Sequence, residues 1–145
     1  YVTGVQTCAL PISLPSRVQS RGWVDGDQPH VARAVRAWLD GDGDAITAVP
    51  VRQDGGPFFQ ELWAQLRNVP SGTSVSYQEL ATMAGRPRAM RAAGTACARN
   101  TVAPFVPCHR VVRSGGALGS YGFGGEGIKE AMLVLEGERG PGSAA

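Results

Sequence analysis

Two short helices joined by a tight turn are the feature that most narrows what this chain can fold into. Ser76 and Glu79 have the spacing of a capping box, in which a hydroxyl and a carboxylate satisfy the free backbone amides that open a helix. Gly85 favours the end of that helix, and Pro87 suits the first turn of a second helix that continues to about Ala98. Because the second helix is basic and rich in small residues, the pair predicts a helix-turn-helix. Many helical hairpins share this pattern without touching DNA, so the pattern alone does not decide the function.

Apolar residues at helical spacing predict three further helices around this pair. These helices are expected over residues 29–39, 57–66 and 128–136. Residues 45–51 are expected to form a short strand, and residues 105–112 a strand or extended segment. Seven glycines between positions 114 and 127 predict a tightly turning loop, for which a plain linker is the alternative. The chain is therefore expected to be α+β and mostly helical.

Length and cysteine content limit the classes of protein that this chain can belong to. Its 145 residues suffice for one ordinary domain, and no apolar run approaches the ~20 residues of a membrane-spanning helix. The cysteines Cys8, Cys97 and Cys108 are odd in number and lack paired spacing, so they do not describe a disulfide framework. No C-x-x-C pair is present, which argues against a structural zinc site. Reduced thiols fit a cytoplasmic protein.

Positive charge is concentrated in one part of the chain, although the net charge is only +2. Six arginines and no Asp or Glu lie between Arg86 and Arg113. Such a patch indicates binding to phosphate or nucleic acid, and the fork geometry of arginine favours phosphate. A solvated surface without a ligand is the alternative.

The run Pro107-Cys108-His109-Arg110 lies inside this basic region and carries the strongest chemical signal. A thiol becomes a good nucleophile only when it loses its proton, and neighbouring basic or cationic groups promote that loss. The pair Cys108 and His109 is therefore a candidate nucleophile and base. The alternative is a buried structural cysteine beside a histidine whose ring is satisfied by the backbone.

Residues 57–137 strongly resemble the O6-alkylguanine-DNA alkyltransferases, a family of single-use repair proteins. The resemblance is carried by Val75-Ser76-Tyr77-Gln78-Glu79-Leu80-Ala81, by Arg91-Ala92-Ala93-Gly94, by Asn100, by Val106-Pro107-Cys108-His109-Arg110-Val111 and by Leu135-Glu136-Gly137. It implies a mostly helical, winged-helix-like domain that binds DNA and holds the active site, over residues 55–137. Residues 15–54 are then expected to be the remnant of a truncated α/β N-terminal domain with its linker.

The resemblance also implies a mechanism. Cys108 would take the alkyl group from O6 of guanine, and His109 would act through a water as the base that forms the thiolate. Glu136 would orient His109, as in other nucleophile-base-orienter triads. Asn100 would hydrogen-bond the turn of the active-site segment, residues 106–111. Tyr121 would donate a proton to guanine N3 as the alkyl group leaves.

The DNA-binding residues implied by the resemblance lie on the helix-turn-helix. The target base is stacked inside the duplex, so the protein would flip it out through the minor groove. Arg91 would fill the gap in the stack, and Tyr77 would press on the 3′ phosphate. Ala92 and Gly94 would allow close approach of the helix, and Arg99 would contact DNA.

The flipped base would enter a pocket lined by Val106, Pro107, Tyr121 and Gly122. The resemblance implies double-stranded DNA containing O6-alkylguanine as partner, with O4-alkylthymine as a further candidate. We expect no cofactor, metal or membrane association, and we expect a cytoplasmic monomer.

The two ends of the chain are expected to lie outside this domain. Residues 1–14 lack an initiator Met and resemble a translated sequencing adapter, so we interpret them as a non-native or disordered leader. Residues 138–145 are rich in Gly, Pro, Ser and Ala and are expected to form a disordered tail.

Three other functions compete with the repair enzyme. The first is a non-enzymatic sensor of alkylated DNA related to the same family; such sensors replace the motif cysteine, whereas Cys108 is present here. The second is a thiol hydrolase, which would turn over. The third is a plain helix-turn-helix regulator, which would need neither Cys108 nor Glu136.

Overall fold

Helices dominate the computed structural model, which describes residues 28–137. In that range the elements, in chain order, are helix α1 (Pro29–Leu39), a 3₁₀ helix (Ala45–Ala48), α2 (Pro57–Arg67), strand β1 (Val75–Ser76), α3 (Tyr77–Met83), α4 (Met90–Arg99), a second 3₁₀ helix (Cys108–Arg110), β2 (Val111–Val112) and α5 (Glu126–Leu135). None of these helices is long and apolar enough to cross a membrane. The expected leader 1–14 with Cys8, and the expected tail 138–145, lie outside the described residues.

The helix-turn-helix prediction is confirmed at the level of its two helices, α3 and α4. Ser76 Oγ accepts the Glu79 amide at 3.1 Å, and the Glu79 carboxylate accepts the Ser76 amide at 2.6 Å, so the capping box is complete. Gly85 follows α3 with φ +80°, a conformation that glycine adopts without strain. The expected start of α4 at Pro87 is wrong, because that residue lies in the turn and the helix begins at Met90.

The main core lies between α2, α3, α4 and the buried segment 102–112. It is built from the apolar faces of these helices, including Leu62, Leu66, Leu80, Ala93 and Val111. The indole of Trp63 in α2 adds a polar tie, because its Nε1 donates to the carbonyl of Ala96 in α4 at 3.0 Å. This packing fixes the helix-turn-helix against the segment that carries Cys108.

A second apolar cluster joins α1 to the same segment. It contains Trp38, Ile46, Val49 and Phe105. The strand expected over residues 45–51 is wrong here, since Ala45–Ala48 form a 3₁₀ helix. The guanidinium of Arg67 binds the carbonyls of Thr47 and Val49, which are then not free to pair with a neighbouring strand.

The only regular sheet within residues 28–137 is a parallel pair of two-residue strands. Val75 lies opposite Val111, and Ser76 lies opposite Val112. Of the extended segment expected over residues 105–112, only the last two residues are strand, because residues 108–110 turn as a 3₁₀ helix. The pairing places the start of α3 directly beside the chain that leaves Cys108.

Candidate active site

Cys108 opens a 3₁₀ helix inside a buried run of eleven residues, 102–112. Its amide donates to the Val106 carbonyl at 2.8 Å, and the residue is 5 % exposed. Burial raises the pKa of the Cys108 thiol, while a hydrogen bond from Asn100 and the positive charge of Lys129 act in the opposite direction. The thiol is therefore protonated in the free protein and needs a base to become a nucleophile.

Asn100 is fully buried and connects the end of α4 to the active-site segment. Its Nδ2 donates to the Val106 carbonyl at 2.8 Å and to Cys108 Sγ at 3.2 Å. Its Oδ1 accepts the Val102 amide at 3.1 Å and Gln53 Nε2 at 3.1 Å. The expected hydrogen bond to the turn is present, and the contact with the sulfur adds a donor that favours the thiolate.

His109 and Glu136 form a buried hydrogen-bonded pair. Nε2 of the imidazole lies 3.0 Å from Oε1 of the carboxylate, and both side chains are 0 % exposed. Because a carboxylate can only accept, Nε2 carries the proton and Nδ1 of the neutral ring is left as the acceptor. Nδ1 is buried and has no hydrogen-bond partner among the described residues. The ring therefore presents a free basic nitrogen.

The pKa values of this pair keep the imidazole neutral and the carboxylate charged. Burial lowers the pKa of His109, and the Glu136 carboxylate only partly opposes that effect. For Glu136, burial alone would raise the pKa, but hydrogen bonds from His109 and Arg110 and the positive charge of Arg110 lower it to about 2. At neutral pH the arrangement is therefore a neutral base held by an ionised orienter.

Arg110 also binds the Glu136 carboxylate, a contact that the sequence did not predict. Its guanidinium donates from Nε to Glu136 Oε2 at 2.9 Å and from Nη2 to Oε1 at 2.7 Å. It also reaches the carbonyls of Val69 and Gly43, at 2.7 and 2.8 Å. Arg110 is 0 % exposed, so it cannot belong to the phosphate-binding patch inferred from the run of arginines. It fixes the plane of the carboxylate instead.

Glycines allow the chain to close around this buried ion pair. A Cβ on Gly43 would lie 1.6 Å from Ser71 Oγ, and a Cβ on Gly72 would lie 3.1 Å from the Glu136 carbonyl. Gly137 ends α5 with φ +88°, directly after Glu136. The Glu136 carboxylate is thus held at a helix end between two closely approaching loops.

Tyr121 and Tyr77 lie near the thiol. Tyr121 is buried, its ring centroid lies 5.7 Å from that of Phe123, and burial raises its pKa well above the ordinary value. Tyr77 opens α3 half-buried; burial, followed by the charges of Cys97 and Cys108, raises its pKa. Both hydroxyls therefore keep their protons at neutral pH, as a proton donor must.

The remaining predicted residues lie around this centre. Val106 and Pro107 are buried beside Cys108, and Gly122 is exposed next to Tyr121. On α4, Arg91 and Arg99 are exposed while Ala92 and Gly94 are half-buried. The guanidinium of Arg99 lies 5.7 Å above the Phe59 ring. The roles of these residues in DNA binding stay predictions.

Sequence reasoning missed three polar residues of the site. Trp38 donates to Glu136, and Gln53 donates to Asn100. Lys129 is 1 % exposed, and its Nζ donates to the Leu118 carbonyl at 2.5 Å. Trp38 belongs to the apolar spacing that predicts the helix over residues 29–39, and no local pattern marks Gln53. Within residues 28–137 no group of three His, Cys, Asp or Glu side chains is placed to hold a metal ion.

The free energy of unfolding is expected to fall as the pH drops from about 4.5 towards 2. The pKa of Glu136 is 4.5 ordinarily and about 2 in the folded protein, so its contribution is complete above 4.5 and is lost as the folded carboxylate protonates. Urea unfolding at a series of pH values measures the slope. Glu136→Gln should be less stable at neutral pH and should show a shallower acid slope; equal slopes in the two proteins would contradict the assignment.

Comparison with known proteins gives a consistent result. The family described as "6-O-methylguanine DNA methyltransferase, DNA binding domain" matches residues 57–138. A methylated-DNA–protein-cysteine methyltransferase of Cricetulus griseus is 47 % identical over 147 residues, with 94 % of this chain and 70 % of the relative covered. The protein of the same name from Mus musculus is 39 % identical and is covered to 64 %, against 88 % of this chain. The chain thus spans about two thirds of these relatives.

Solved structures agree with this match. The Mycobacterium tuberculosis protein described as OGT in complex with DNA superposes with a TM-score of 0.67 at 36 % identity, covering 78 % of this chain and 68 % of that one. Schizosaccharomyces pombe Atl1, solved with damaged DNA containing O6-carboxymethylguanine, superposes with a TM-score of 0.51 at 27 % identity, covering 60 % and 80 %. The mixed, mainly helical fold with its small parallel sheet is therefore shared with known proteins.

Proposed function

The chain belongs to the 6-O-methylguanine DNA methyltransferase family, and from this premise we propose that it repairs DNA by moving the alkyl group of O6-alkylguanine onto Cys108. One observation carries the proposal. A buried thiol accepts a hydrogen bond from Asn100, and the next residue is a neutral imidazole held by the ionised Glu136. This is the arrangement of an activated nucleophile.

The transfer is a direct displacement in which atoms and electrons balance. The sulfur–carbon bond forms as the bond between carbon and O6 breaks, and the electron pair of that bond stays with guanine. The thiol proton passes through a bridging water to His109, whose Nδ1 is the accepting atom. Tyr121 donates its proton to guanine N3, so the base leaves neutral. The thioether is stable, so each protein molecule acts once.

Duplex DNA is the proposed partner, bound by α3 and α4 as a winged-helix-like helix-turn-helix. Five of the six clustered arginines have exposed side chains, and an exposed basic surface favours phosphate; these are Arg86, Arg88, Arg91, Arg99 and Arg113. The half-buried Ala92 and Gly94 leave α4 smooth enough to approach a groove. Arg91 replaces the flipped base, and Tyr77 presses on the 3′ phosphate.

The proposed pocket accepts the flipped base between Val106, Pro107, Tyr121 and Gly122. O4-alkylthymine is a further candidate substrate. Residues 15–54 are proposed to be the remnant of the α/β N-terminal domain of the family, with its linker. The protein is proposed to act as a cytoplasmic monomer.

Intact-mass measurement tests the function directly. The protein is incubated with a duplex containing one O6-methylguanine, and with the same duplex containing guanine as the matched control. We expect a gain of one methyl group per protein, located by peptide mapping on Cys108, and no further repair when DNA is in excess. Repeated turnover would indicate a thiol hydrolase instead.

A sensor of alkylated DNA is the second candidate, because the fold also matches Atl1, which was solved in complex with damaged DNA. A sensor would bind the modified duplex more tightly than the control duplex and gain no mass. Folded protein that binds in this way without methyl transfer would therefore overturn the enzyme proposal in favour of the sensor. The free thiol of Cys108 argues for the enzyme.

A further inference from the structure

Trp38 reaches the active site from outside the segment that matches the family. It lies in α1, whereas the family match begins at residue 57. Its indole Nε1 donates to Glu136 Oε1 at 2.9 Å. Its ring centroid lies 6.2 Å from that of His109, with the two planes tilted by 53°. Trp38 is 7 % exposed, so both contacts are shielded from water.

The accepting oxygen is shared by three donors. Glu136 Oε1 lies 2.9 Å from the Trp38 indole, 3.0 Å from His109 Nε2 and 2.7 Å from Arg110 Nη2. Arg110 alone already fixes the plane of the carboxylate, because its Nε also binds Oε2. The indole is therefore a further donor to the oxygen that faces His109, and a hydrogen-bond donor draws negative charge away from the oxygen it binds.

We propose that Trp38 is a positioning residue that sets the orientation and the basicity of His109 through Glu136 Oε1. The link to alkyl transfer rests on the proposed function, whereas the contact itself does not. The segment before the family match is then part of the catalytic apparatus and not only a support for the fold.

The proposal predicts the direction in which the pKa of His109 changes when the Trp38 donor is removed. The charged groups that influence His109 are Glu136, Arg110 and Lys129. Without the indole donor, Oε1 carries more negative charge towards the imidazole and stabilises the imidazolium. The pKa of His109 should then rise, and the ring should stay protonated to higher pH. The pH below which the transfer rate falls should therefore also rise.

Trp38→Phe tests this inference, because it keeps an aromatic ring and removes the donor. We expect the NMR titration of the His109 imidazole in DNA-free protein to move up by about half to one pH unit, the range of one hydrogen bond. The acid limb of single-turnover methyl transfer should move by the same amount. Val35→Ala is the matched control, since Val35 packs in the same cluster on the same helix. It should lower stability and leave both midpoints unchanged.

A second measurement uses the unmodified protein and remains decisive if Trp38→Phe does not fold. The Trp38 indole N–H resonance should follow the titration of His109, whereas the Trp63 indole, which donates to Ala96, should not. A Trp38 resonance that ignores His109, or an unchanged His109 midpoint in folded Trp38→Phe, overturns the inference. Neither readout needs alkyl transfer, so failure of the proposed function would be seen separately in the intact-mass experiment.

Discussion

Cys108→Ser is expected to abolish methyl transfer while leaving the fold and DNA binding intact. A serine hydroxyl loses its proton far less readily than a thiol and is a weaker nucleophile, so the rate should fall by a factor on the order of 10³ or more. The fold should tolerate the change, because the hydroxyl can accept the Asn100 hydrogen bond that Cys108 Sγ accepts now. Single-turnover transfer from a labelled O6-methylguanine duplex measures the rate.

Cys97→Ser provides the matched control for this loss. Cys97 is the other free thiol within the described residues, and it lies on α4 against the same core. Burial and the charge of Cys108 raise its pKa, against the opposing positive charge of Lys129. The control should transfer methyl at close to the unmodified rate. Methyl transfer that survives in Cys108→Ser, or that is lost in Cys97→Ser, would show that Cys108 is not the acceptor.

Local sequence was sufficient to predict the helix-turn-helix and the reactive segment. The capping box of Ser76 and Glu79 depends on residues three apart, and Gly85 ends the helix through its own backbone freedom. Such signals lie within one helical turn of sequence. They do not fix every boundary, because Pro87 was expected to open the second helix and lies in the turn before Met90. The Pro-Cys-His-Arg run likewise has a chemical meaning before any fold is known.

The ion pairs of the site could not be obtained in the same way. Arg110 was counted with an exposed basic patch, but it is buried against Glu136, 26 residues further along the chain. Trp38 donates to the same carboxylate across 98 residues. A tryptophan in an apolar stripe is most simply core, and the partner of its indole is decided only by how α1 packs on α5. The pairing of His109 with Glu136 came from family resemblance, not from spacing.

Asn100 concentrates four hydrogen bonds on one fully buried side chain, so its loss should have a large effect. Truncation leaves the Val102 amide, one bond of the Val106 carbonyl and Gln53 Nε2 without their partner, in a region closed to water. Each buried polar group that loses its partner costs about 1–3 kcal/mol. The Cys108 sulfur also loses a donor that opposes the rise of its pKa. Truncation of Asn100 should therefore lower both the free energy of unfolding and the reactivity of the thiol.

Asn100→Ala is expected to lower the free energy of unfolding by about 3 kcal/mol or more and to slow methyl transfer on the order of 10²-fold, because the thiol is no longer held in place. Urea unfolding and single-turnover transfer measure the two effects. Gln53→Ala is the matched comparison. It removes one hydrogen bond to Asn100 Oδ1 and keeps the two hydrogen bonds that Asn100 Nδ2 donates to Val106 and Cys108. It should cost stability and leave the transfer rate within a few-fold of the unmodified protein. An equal loss of transfer in both variants would mean that Asn100 acts only through the packing of the segment, and not on the sulfur.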